Sequence, residues 1–163
     1  MKKIGFAAEE MVKIIDAHYA PLLLYARQWD AAVAEDLVQE AFLKLLRHSH
    51  KKHCPDNVAA WLFQVLRRSA VSHFRKTGRR EKHERNFTAA RITWSEPTQE
   101  AAVTSAELAA LLDQLPLEQR ELVILRIWGG LSFDEMVTLT GLSRTTVFRK
   151  YNEALETLRQ KMR

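Results

Sequence analysis

Five glycines and four prolines are spread over 163 residues, and this scarcity is the strongest constraint on the fold. A chain built from strands needs frequent turns, and turns draw on the two residues with special backbone angles. Here the intervals between them are filled with Ala, Leu, Glu, Gln, Arg and Lys, all good helix formers. The expectation is an all-α protein. Apolar residues make up 47% of the chain, enough to bury a core, so wholesale disorder is excluded.

The length suits one ordinary domain or two small ones, and the pattern favours two. Helical periodicity holds from about Ala8 to Arg80 and resumes near Thr104. Between Asn86 and Thr104 it lapses while Thr, Ser, Pro and Gln accumulate. The predicted organisation is a helical domain over 8–85, a flexible linker over 86–103 and a helix-turn-helix domain over 104–163. A linker of roughly 18 residues, fully extended, reaches about 60 Å. That exceeds the roughly 34–36 Å of one DNA turn, so the two domains could sit on separated sites of one duplex.

Within the first block, Pro21 suits the first turn of a second helix, and Asp30 suits the cap of a third that reaches about His48. His48 to Asn57 reads as a loop, followed by a long helix to about Lys76 that frays near Gly78. The second block predicts four helices, near Thr104–Gln114, Leu117–Trp128, Ser132–Thr140 and Arg144–Lys161.

Net charge is +5, but its distribution says more. Residues 1–43 sum to −3, 44–85 to +9, 86–143 to −5 and 144–163 to +4. Two basic blocks separated by acidic ones point to a polyanionic partner held at two places. Cys54 is the only cysteine, so no internal disulfide can form and a reducing, cytoplasmic compartment is expected. The start resembles a signal peptide until Glu9 and Glu10 interrupt its apolar run. No stretch approaches the roughly 18 apolar residues of a membrane span, so no membrane insertion is expected.

Three segments carry specific signals. Ser132-Phe133-Asp134-Glu135 is a capping box, and its helix should turn Phe133, Met136 and Val137 inward. Gly141 can take the left-handed turn that follows, and Ser143 caps the next helix. That helix places Val147, Tyr151, Leu155, Leu158 and Met162 on one buried stripe. Ser143, Arg144, Thr145, Thr146, Phe148, Arg149 and Asn152 lie at its start or on its other side, where a recognition helix meets base edges and phosphates. Phe148 suits either a thymine methyl or the neighbouring helix.

The second segment is the helix from Trp61 to Lys76. Leu62, Val65, Leu66, Ser69 and His73 share its core side. Gln64, Arg68, Ser72, Arg75 and Arg79 step along another side, with Lys76 beside them. A basic ridge at helical spacing can follow phosphates. Trp61 and Phe63 could stack on unpaired bases, or else belong to the core. The third segment has the opposite sign. Asp36, Gln39 and Glu40 form an outer ridge above an apolar face of Leu37, Val38, Ala41, Phe42, Leu45 and Leu46. DNA would repel that ridge, which suits a protein partner.

In this order the three segments resemble the extracytoplasmic-function (ECF) sigma factors of bacterial RNA polymerase. Asp36-Leu37-Val38-Gln39-Glu40-Ala41-Phe42 looks like the family's polymerase-docking helix, and Ala60-Trp61-Leu62 through His73-Phe74-Arg75 like its promoter-melting helix. Leu115-Pro116, Gln119-Arg120 and the helix-turn-helix are similar to its C-terminal domain. The resemblance implies that Asp36, Gln39 and Glu40 bind the clamp coiled coil of core polymerase. Residues 48–58 and the helix carrying Trp61 to Arg79 would recognise and open the downstream promoter element, contacting the melted strand. Ser143 to Asn152 would read the upstream element as duplex, the linker would thread into the polymerase, and an anti-sigma factor is a further candidate partner. No catalytic residue and no cofactor are implied. Arg68 and Ser72 stand where the family usually has Asn and Asp. Thr145, Phe148 and Arg149 also depart from common family residues, so family averages do not specify the target promoter.

Two other readings compete. A self-sufficient helix-turn-helix regulator explains the C-terminal half but leaves the acidic ridge and the Trp61 helix without a task. A metal-dependent activity would use His48, His50, His53 and Cys54, four potential ligands within seven residues, although no general base accompanies them.

Overall fold

The computed structural model describes residues 4–77 and 107–163. These are helical throughout, with a single isolated bridge between Ile4 and His53. The N-terminal unit holds α1 (Ala8–Arg27), α2 (Ala34–Lys51) and α3 (Val58–Thr77). The C-terminal unit begins with α4, described over 107–113. It continues with α5 (Leu117–Ile127), α6 (Phe133–Thr140) and α7 (Arg144–Lys161). The linker expected over 86–103, and with it Gly78 and Arg79, lies outside the described residues.

Two boundaries in the first unit differ from the sequence expectation. Pro21 does not start a helix: α1 runs through it unbroken. A proline inside a helix loses one backbone bond and costs about 3 kcal/mol. Leu22, Leu23, Leu24, Tyr25 and Ala26 directly behind it are all buried, and their transfer from water outweighs that loss. Asp30 does not cap α2, whose N-cap is Val33. Its carboxylate instead accepts from the Ala32 N–H at 3.0 Å, closing the turn before the helix, and meets His73 Nε2 at 3.0 Å on α3. The loop expected from His48 is shorter too. α2 carries His48 and His50 to its end at Lys51, because Ser49 is fully buried and the apolar period extends to it.

α3 starts as predicted, with the Asn57 side chain accepting from the Ala60 N–H at 3.0 Å. Its core face differs in detail. Leu62, Phe63, Leu66, Ala70 and Phe74 are buried, whereas Val65, Ser69 and His73 are half-buried. Phe63 lies edge-on to Tyr25 and Phe74 edge-on to Trp29, each with ring centroids 5.4 Å apart. Such tilted pairs add about 0.5–1.5 kcal/mol beyond burial.

In the second unit the capping box forms in both directions. Glu135 N–H donates to Ser132 Oγ at 3.1 Å, and Ser132 N–H donates to Glu135 Oε2 at 2.8 Å. Gly141 ends α6 in the left-handed conformation, with φ 74°, and Ser143 Oγ accepts from Thr146 N–H at 3.2 Å to start α7. On α7 the buried stripe is Val147, Ala154 and Leu158, with Tyr151 and Leu155 half-buried. Met162 leaves it at 73% exposure, at the C-cap of α7 where the helix ends.

The two units pack against each other through one continuous apolar core. Ser132→Ala and Glu135→Ala should each lower stability, the former by about 1 kcal/mol as for other lost caps. The double variant should cost less than the sum, because each residue's bond depends on the same turn. Urea denaturation of the three variants measures this.

Candidate nucleic-acid interface

α2 presents its acidic ridge on the side away from the core. Asp36, Gln39 and Glu40 are all exposed, above buried Leu37, Val38, Ala41 and Phe42. Glu40 pairs with Lys44 one turn later at 2.9 Å, and Lys44 Nζ also donates to Ser69 Oγ on α3 at 3.2 Å. Glu35, Asp36 and Gln39 are the outward polar groups of the first turns. An isolated pair on a wet helix face contributes little to stability, so the ridge is available for recognition.

α3 carries the opposite charge. Arg68, Ser72, Arg75 and Lys76 are exposed on a ridge of their own, while Trp61 and Gln64 are half-buried. The Trp61 ring meets His48 of α2 at a tilt, with centroids 5.1 Å apart. Phe63 belongs wholly to the core, which rules out its stacking on a base. Among the described residues no three His, Cys, Asp or Glu side chains are grouped to hold a metal ion. His48, His50, His53 and Cys54 are thus not gathered into a ligand set.

α7 presents Ser143, Arg144, Thr145, Phe148, Arg149 and Asn152 to solvent, with Thr146 half-buried. Three cations near this face already have carboxylate partners. Arg144 Nη1 lies 2.7 Å from Asp134, Arg149 Nη1 lies 3.0 Å from Glu153, and Lys150 pairs with Glu118. Phosphates would have to compete with these carboxylates. Phe148 packs on Phe133 with centroids 4.8 Å apart and remains 49% exposed. Tyr151 and the Arg126 guanidinium complete the cluster around Phe133.

Sequence reasoning missed the polar network between the two units. Glu121 on α5, only 5% exposed, accepts from the Tyr25 hydroxyl at 2.5 Å and from Arg67 Nε at 2.8 Å. Burial, and then the adjacent carboxylate, hold the Tyr25 hydroxyl well above its usual titration range, so it stays a donor. Buried Arg120 donates to Gln28 Oε1 at 3.2 Å and to the Leu115 carbonyl at 3.0 Å. At the other edge Asn57 Nδ2 meets Glu135 Oε1 at 2.5 Å. A signal for this network exists in the sequence: Arg120 and Glu121 directly precede the apolar run Leu122 to Leu125. Only a partner from elsewhere in the chain could make burial of those charges tolerable.

Comparison with known proteins matches both units. Residues 14–80 match sigma-70 region 2 and residues 105–158 match sigma-70 region 4. The chain is 36% identical over 121 residues to the ECF RNA polymerase sigma factor EcfG of Rhodopseudomonas palustris, covering 74% of this chain and 66% of that one. It is 31% identical to the ECF sigma factor SigL of Mycobacterium tuberculosis, over 95% of this chain and 92% of that one. It is also 27% identical to the sigma factor SigV of Bacillus subtilis, over 98% and 95%. Among solved structures, the fold resembles the sigma factor RpoE of Bartonella quintana, solved with the anti-sigma factor NepR. The TM-score is 0.68 at 23% identity, over 93% of each chain. It also resembles CnrH, solved with the cytosolic domain of CnrY, with a TM-score of 0.62 at 19% identity over 96% of this chain and 89% of that one.

The two family matches therefore define a two-part sigma-70 protein in which region 2 is followed by a region 4 helix-turn-helix. The chain belongs to the ECF family of RNA polymerase sigma factors. Its function is that of a sigma factor in transcription initiation, with core polymerase and promoter DNA as partners. No described helix is long and apolar enough to cross a membrane.

Removing the carboxylate of Asp134 should release Arg144 without unfolding α6, since both side chains are largely exposed. Asp134→Asn is expected to tighten duplex DNA binding by roughly two- to fivefold at low salt, with the gain fading at high salt. Fluorescence anisotropy at two ionic strengths measures it.

Proposed function

We propose that the chain directs core polymerase to promoters through three separate surfaces, acts without catalysis of its own, and works in the cytoplasm. Asp36, Gln39 and Glu40 dock on the clamp coiled coil of the polymerase. Trp61, Gln64, Arg68, Ser72, Arg75, Lys76 and Arg79 take the downstream promoter element as it opens. Ser143, Arg144, Thr145, Thr146, Phe148, Arg149 and Asn152 read the upstream element as duplex. The domains doing this work span 8–85 and 104–163.

One observation carries the assignment: exposed ridges of opposite charge stand on adjacent helices of the same unit. An acidic ridge repels the nucleic acid that a basic ridge attracts, so the two cannot serve one polyanion. A self-sufficient regulator has no use for the first. A sigma factor needs both, because it holds a protein and a DNA strand at once.

Asp36→Ala with Gln39→Ala is expected to abolish co-purification with core polymerase while leaving the helical circular-dichroism signal unchanged. Undiminished co-purification would overturn the docking assignment. Arg149→Ala is expected to weaken binding to upstream-element duplex by about fivefold or more, within the roughly 1–3 kcal/mol of one good contact. A shallower salt dependence would mark a phosphate contact and a relaxed sequence preference a base contact; no change in either would remove Arg149 from the interface.

A further inference from the structure

The outward face of α7 holds one arginine whose place is set from two helices. Thr145, Phe148, Arg149 and Asn152 follow one another at i, i+3, i+4 and i+7, and all four are exposed. Glu153 stands at the rim of that face, exposed as well, and its two carboxylate oxygens have different partners. Oε1 accepts from Arg149 Nη1 at 3.0 Å, and Oε2 accepts from the Gln119 side-chain amide of α5 at 3.3 Å. Lys150, three residues before Glu153 and near enough on the helix to compete for it, pairs with Glu118 of α5 instead. The carboxylate is aligned between α5 and Arg149 and does not swing between two cations.

We propose that Glu153 is a positioning residue for base recognition, holding the Arg149 guanidinium ready for a guanine in the major groove of the upstream element. This rests on the assignment of α7 proposed above. A guanidinium has five N–H donors. The bond to Glu153 uses Nη1, which leaves a fork of donors for O6 and N7, the two acceptors on guanine's major-groove edge. An arginine on a wet helix face samples many rotamers, and ordering it at the moment of binding costs affinity. Glu153 meets part of that cost before DNA arrives, and Gln119 in turn keeps Glu153 in place. An exposed pair of this kind contributes little to folding, so stability does not account for it.

The charge of Glu153 separates positioning from simple electrostatics. A carboxylate beside a phosphate backbone repels it, so removing Glu153 strengthens attachment to any duplex, whatever its sequence. If the carboxylate only repelled, every sequence would gain alike and base preference would stand. Because it positions Arg149, the same substitution raises non-specific affinity and lowers the preference for guanine at one base pair. Gln119 provides the complementary case. Its side chain carries no charge, so loss of its amide loosens Glu153 without altering the field at the DNA.

The test uses the full chain with a library of duplexes randomised over about ten base pairs, one helical turn, and sequencing of the bound fraction. A fixed mixed-sequence duplex reports non-specific affinity by fluorescence anisotropy. Arg149→Ala first identifies the base pair that Arg149 reads. In Glu153→Ala, guanine preference at that pair should fall by about fivefold while the other pairs keep theirs. Binding to the fixed duplex should rise by about twofold at low salt, with a salt slope steeper by about 0.9 for the guanidinium released to a phosphate. Gln119→Ala should lower the same preference by about twofold without steepening the slope. Undiminished preference in Glu153→Ala, or a pair that favours a base other than guanine, would overturn the positioning role. A loss centred on a different base pair would overturn it too, and would make Glu153 itself a reader. If Arg149→Ala changes no base preference, the assignment of α7 above fails and takes this inference with it, a result distinct from the others.

Discussion

A carboxylate with almost no access to water organises the contact between the two halves of this chain. Glu121 would be intolerable at its depth without the hydroxyl and guanidinium that reach it from α1 and α3. Meeting that need fixes where α5 lies against the N-terminal helices. The position of α5 then sets α6 against α3, and so determines which parts of region 2 remain open. Apolar burial supplies most of the adhesion, but apolar surfaces slide. The directional bonds choose one register among many.

The same geometry divides the surface by function. α2 turns Asp36, Gln39 and Glu40 to solvent, with only Lys44 among the described residues paired to the ridge, so the proposed polymerase contact does not depend on how the halves are arranged. α3 is different along its length. Its first turns, with Trp61 and Gln64, face the other unit, while Arg68, Ser72 and Arg75 remain outside it. One helix thus carries a covered segment and an uncovered segment, and the line between them is drawn by the height of α6.

Much of this could be read from the sequence because helix signals are local. The Ser132–Glu135 capping box, Gly141 and Ser143 each act within four residues, and all appear as expected. The periodicity of α3 and α7 likewise reported their cores to within a few positions. The failures share a cause. Pro21 and Asp30 obey local preferences that long-range burial overrode, and Ser49 is buried by tertiary packing that its polarity conceals. The Glu121 network lies beyond local reading altogether: Tyr25, Arg67 and Glu121 are brought together across 96 positions of sequence. The exposed ridges were legible as patterns of charge, whereas their roles came from a family likeness.

Phe133 ties the floor of the helix-turn-helix to its outward face. Its ring touches Phe148, Tyr151 and the Arg126 guanidinium together, so an outward position on α7 shares its support with three residues that never meet solvent fully. A descendant of this chain could not freely exchange the side chain at 148 to suit a new target. Each exchange would unsettle the aromatic stack beneath, and a compensating change at 133 or 151 would have to accompany it. Under the proposed reading of the upstream element by Phe148, target preference is tied to the packing of one ring.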